Sequence, residues 1–157
     1  MKCHSARFGS YDVKDESILT FPSGLLGFHE QTRYVILDHD TDAPFKWLQA
    51  VDDPGLAFVI MDPADFLEGY SVALTPEALA EVKGDASEDL SVAVILTIPS
   101  EDPASVTANL RGPLLMNPRT KLGKQLVLAD SYPTRHALFP QQPSGSQQPL
   151  DASVATL

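Results

Sequence analysis

The 157-residue chain has one cysteine, Cys3, and only 11 Lys and Arg against 21 Asp and Glu. A single cysteine excludes an internal disulfide, and Cys3 has no partner at a metal or redox spacing. The shortage of cations leaves a formal charge of −10. That balance argues against direct nucleic-acid binding, whose affinity comes from Lys and Arg neutralising phosphates. No apolar run approaches the ~18 residues of a membrane span. Met1 to Arg7 lead into no apolar signal-peptide core, so the cytoplasm is the expected compartment.

Chemical motifs are scarce as well. There is no GxGxxG, no GxxxxGK and no G-x-S-x-G. His4, His29, His39 and His136 are scattered and never form H-E-x-x-H. Asp38-His39-Asp40-Thr41-Asp42 begins like a calcium loop, but Ala43 stands where the tight turn needs Gly, and Gln49 where a bidentate Glu belongs. It reads as an Asp-rich turn. Cys3, with nothing beside it to activate a nucleophile, reads as a spare thiol near a mobile terminus. No catalytic residue, metal or cofactor is expected.

What is present is acid, proline and short apolar alternation. Residues 36–105 hold fifteen acidic and two basic residues, net −13, whereas residues 106–135 are net +4. The 13 prolines leave few windows for a long helix. Val106, Ala108 and Leu110 alternate with polar neighbours at a strand's period of two, and Leu90, Val92, Val94, Leu96 and Ile98 share one face. Further strand candidates are 34–37, 45–51, 56–61, 69–74, 114–117 and 124–128, each bounded by turn-forming residues. Asp52-Asp53-Pro54-Gly55 reads as a hairpin turn, with Gly55 free for positive φ. One short helix is expected near residues 76–83: Thr75 caps it, Pro76 opens it, Leu79 and Val82 give its apolar face, and Gly84 stops it.

This pattern predicts an all-β antiparallel pseudo-barrel of about eight to ten short strands with one short helix. Residues 1–139 read as a single domain. The Pro/Gln/Ser-rich segment 140–157 reads as a disordered tail, because it has too little apolar surface to offset its ordering entropy.

Several pieces in order resemble the flagellar assembly factor family, FliW. They are Phe21-Pro22-Ser23-Gly24-Leu25-Leu26-Gly27-Phe28, Pro44-Phe45-Lys46-Trp47-Leu48-Gln49-Ala50, Asp52-Asp53-Pro54-Gly55-Leu56-Ala57-Phe58 with Asp62-Pro63, Ala108-Asn109-Leu110-Arg111-Gly112-Pro113, Gly123-Lys124-Gln125 and Tyr132-Pro133-Thr134-Arg135-His136. The resemblance implies a non-enzymatic cytoplasmic β-barrel protein; separately from it, a monomer is expected. It also implies binding to flagellin and, alternatively, to the translational repressor CsrA, whose repression of flagellin synthesis it relieves. A basic RNA-binding partner suits the acidic middle of the chain. The expected partner-binding residues are therefore Asp52, Asp53, Asp62, Asp65 and Glu68 as rim charge, with Trp47 as an apolar anchor. Two other readings stand beside this one. A β-barrel can hold a small ligand, and convergent carboxylates or Cys3 can serve a hydrolase.

Overall fold

The computed structural model describes residues 2–6, 9–38, 45–84, 90–99 and 101–138. The elements in chain order are β1 (Lys2–Ser5), β2 (Gly9–Asp12), β3 (Ile18–Thr20), β4 (Arg33–Asp38), β5 (Phe45–Ala50), β6 (Ala57–Met61), α1 (Pro76–Glu81), β7 (Ser91–Thr97), β8 (Thr107–Ala108), β9 (Leu114–Asn117), β10 (Leu122–Gln125) and β11 (His136–Ala137). The calcium-like loop beyond Asp38, with His39, and the 140–157 tail lie outside the described residues.

Strands β3, β4, β5, β6 and β7 follow one another as antiparallel neighbours. The first half of β7 then pairs with β9, and its last two residues pair with β8, which carries β11. Strand β9 pairs with β10, and β10 meets β3 through a parallel contact, Leu122 to Thr20. Seven strands thus close a mixed barrel, with β8 and β11 as an appended ribbon. The expected barrel is present; its seam is parallel because β3 and β10 both run towards the same end.

The inside of the barrel is filled. Phe21, Leu25, Tyr34, Leu48 and Leu114 are almost fully buried there, and the Phe21 and Tyr34 rings meet edge to face at 5.6 Å. The outer wall is largely covered as well, in three sectors. The β1–β2 hairpin lays Cys3 and Val13 on Val35 of β4. The segment after β6 brings Phe66, Leu67 and Tyr70 over Val59, Met61, Val94 and Leu96. Helix α1 lays Ala78 and Val82 on Leu115. Cys3 is therefore 5% exposed inside a packed strand, opposite Tyr11, and not in a mobile terminus.

Several local expectations change. Residues 69–74 form no strand; Tyr70 instead ties this strap to the wall by donating its hydroxyl to the Leu110 carbonyl at 2.6 Å. The last hairpin strand starts at Leu122, earlier than 124, because the Lys121 amide closes on the Asn117 carbonyl at 2.8 Å. Gly55 is not in the left-handed region. With the Leu56 amide bonded to the Asp53 carbonyl, Pro54 and Gly55 form a turn that needs no positive φ.

Helix α1 starts as its sequence predicts, with Thr75 Oγ1 accepting from the Ala78 amide at 3.1 Å. Its end differs. The Gly84 amide reaches the Leu79 carbonyl and the Lys83 amide the Ala80 carbonyl, which is a Schellman closure with Lys83, φ 53°, in the left-handed position. A lysine there carries a Cβ penalty that glycine lacks. Lys83→Gly is expected to raise stability by about 0.5–1 kcal/mol, measured by urea denaturation. An unchanged or lower midpoint would contradict this assignment.

Candidate docking surface

The β5–β6 hairpin splits the sequence-derived acidic residues into two groups. Asp52 and Asp53 lie in its turn, whereas Asp62, Asp65 and Glu68 follow the far end of β6. The five residues of β6 separate the groups by roughly 16 Å at ~3.3 Å per residue. They belong to opposite ends of the barrel and do not form one rim.

At the far end, Asp62 caps a 3-10 turn, accepting from the Ala64 amide at 2.9 Å, and Asp65 and Glu68 stand exposed beside it. Phe66 and Leu67, between those acids, pack into the same outer cluster as Trp47. Trp47 is half-buried on the outer face of β5, between Leu37 and Val59. It contributes to packing under this strap.

The turn end is more built. Gln49 is fully buried, and its Nε2 lies 3.1–3.3 Å from the carbonyls of Ala50, Asp53, Pro54 and Leu56. Its Oε1 accepts from Ser5 Oγ at 2.8 Å, while the Ala6 amide donates to the Pro54 carbonyl at 2.8 Å. One carboxamide thus fixes the backbone of the acidic turn and ties it to β1. Asp53 Oδ1 accepts from the Gly55 amide at 3.1 Å, which fixes its carboxylate within the turn. Asp52 takes two hydrogen bonds from Arg33, at 2.6 and 3.1 Å. The Arg33 bond holds the Asp52 carboxyl below its usual range, and Asp52 in turn raises the Arg33 guanidinium. Much of the Asp52 charge is answered locally, leaving Asp53 as the freer anion of the pair.

Beside this turn, residues 21–32 fold back across the barrel end. The Phe21 amide bonds to the Thr32 carbonyl, Gly24 to Phe21, and Phe28 to Leu25, each at 2.7 Å. Leu25 is the inward plug, 1% exposed. Phe28 lies on Phe58 at 5.4 Å, and Phe58 lies on Tyr34 at 6.3 Å. Burial, with a further push from the Asp53 charge, moves the Tyr34 phenol up to about 12. The signals for Gln49 and this cover were a glutamine between buried strand positions and a Gly-rich apolar motif. Neither shows from sequence where its polar atoms converge.

Other sites are poorer. Among the described residues no three His, Cys, Asp or Glu side chains come together as a metal site, and no helix is long and apolar enough to cross a membrane. The filled interior leaves an open groove of about 310 Å³ at the far mouth, lined by Leu19, Ile36, Met116, Pro118 and Lys121. It does not enclose a small ligand.

Comparison with known proteins agrees with this architecture. The family model described as FliW protein matches residues 2–138. The chain is 41% identical over 143 residues to the flagellar assembly factor FliW of Natranaerobius thermophilus, covering 90% of this chain and 95% of that one. It is 39% identical over 142 residues to the Geobacter sulfurreducens counterpart, covering 90% and 88%. A crystal structure of the flagellar assembly factor FliW superposes with a TM-score of 0.81 at 33% identity, over 89% of this chain and 98% of that chain.

Proposed function

Because the chain belongs to the FliW family of non-enzymatic flagellar assembly factors, we propose that it binds flagellin and, alternatively, CsrA in the cytoplasm, relieving CsrA repression of flagellin synthesis. The observation that carries the CsrA half is the acidic turn 52–55, held from beneath by Gln49 and facing solvent. A repressor that binds RNA is basic, and a fixed anionic turn steers its approach and sets its orientation. A net charge of −10 suits a protein that regulates RNA use through its partner and does not bind phosphates itself. Flagellin, whose partner-binding segments are amphipathic helices, is gripped through apolar contacts instead. Asp62, Asp65 and Glu68 add long-range attraction from the far end, and the chain acts as a monomer.

Titration calorimetry with CsrA across a salt series tests this. Asp53→Ala is expected to weaken binding about threefold at low salt and to flatten the salt dependence. Asp52→Ala is expected to do less, because Arg33 already neutralises that carboxylate. Equal affinity and equal salt slope for wild type and the double variant would remove the turn from the interface.

A further inference from the structure

Leu26 is a large apolar side chain with no task in the fold. It is 52% exposed at the corner of the Leu25–Phe28 turn, where Gly27, φ 86°, supplies the second corner. Such corners normally carry proline or polar residues. Leu25 already plugs the barrel, so core packing does not require a second leucine. The position of Leu26 is nonetheless closely controlled. Its amide donates to Gln125 Oε1 at 2.8 Å, and Gln125 Nε2 donates to the Gly112 carbonyl at 2.9 Å. Phe28, 41% exposed, stands two residues on, and Val127, 68% exposed, lies two residues beyond the Gln125 that holds the turn.

Resting on the reading above that this end binds a basic partner, we infer that Leu26 and Phe28 form the apolar centre of the interface rimmed by Asp53. They seat in an apolar patch ringed by Lys or Arg on CsrA. Charge selects this occupant. The cations on the segments that hold this turn are each paired with a carboxylate, Arg33 with Asp52, Lys124 with Glu81 and Arg111 with Asp130, which leaves Asp53 to give the rim its negative charge. A second copy of this chain would set acid against acid, and an anionic membrane surface would repel the rim. A rigid turn carrying exposed apolar side chains loses little conformational entropy on binding, which is what an anchor requires.

The test is calorimetry of the full chain against purified CsrA at two salt concentrations, with thermal melts of each variant. Leu26→Asn, which keeps the turn and its backbone bonds, is expected to weaken binding by about tenfold or more. Its salt slope and melting temperature should stay those of wild type, unlike the slope change expected of Asp53→Ala. Wild-type affinity in Leu26→Asn overturns this inference and leaves the partner assignment standing. A weakening seen only with a flagellin segment, or one that tracks a lowered melting temperature, overturns it too. A wild-type chain that binds neither CsrA nor flagellin overturns both.

Discussion

Gln49→Leu is expected to destabilise the protein by about 3 kcal/mol and to lower its melting temperature by about 10 °C. The replacement keeps the side-chain volume but removes the donor from the focus of four carbonyls and the acceptor from Ser5 Oγ. Three of those carbonyls retain a backbone partner: Asp53 keeps the Leu56 amide, Pro54 the Ala6 amide, and Leu56 the Ala50 amide. The loss is therefore smaller than four abandoned acceptors would give. It still falls on a side chain with no exposed surface of its own, so removing its bonds carries a desolvation cost. Hydrogen exchange supplies the local readout. The amides of Gly55 and Leu56 should lose protection well before those of β5. Uniform protection with a normal melting temperature would show that the ladder alone holds the turn.

The same residue shows where sequence reading stops. A Trp-Leu-Gln run in a strand predicts alternation, with leucine inward and its neighbours outward. Leu48 is indeed inward, yet Gln49 and Trp47, on the outer face, are covered as well. A barrel whose outer wall is padded by a hairpin, a strap and a helix buries both faces of its strands, so the wet and dry sides that alternation detects are not there. Strong local patterns were legible. Val106, Ala108 and Leu110 are all buried in one cluster, and Thr75-Pro76 starts the helix. Weak patterns were not. Lys2–Ser5 and Gly9–Asp12 have few apolar residues and form strands because Cys3 and Val13 dock on Val35. Residues 69–74 have the right alternation but make tertiary contacts in place of a ladder. The acidic block was visible as composition, whereas its division between two barrel ends is set by the β5–β6 register, which composition does not encode.

Gly24→Ala is expected to destabilise by about 3 kcal/mol or more and, on the proposed function, to abolish tight CsrA binding without touching a side chain of the proposed interface. Two costs combine at this position. The backbone sits at φ 69°, and an added Cβ would stand 2.5 Å from the Cα of His29 and 2.8 Å from the carbonyl oxygens of Phe28 and His29. These are backbone atoms of the turn itself, so relief requires the turn to open, and a side-chain shift will not suffice. Opening it breaks the Phe28 to Leu25 bond and unseats Leu25 from the barrel end. Gly27→Ala separates the two costs. Gly27 has a similar φ, 86°, with no atom within 4 Å of its added Cβ. It should therefore lose only the left-handed penalty, about 1 kcal/mol. Denaturation midpoints of the two variants give the comparison. A Gly24→Ala loss no larger than that of Gly27→Ala would mean that the turn yields easily, and a yielding turn would not hold Leu26 ready for a partner.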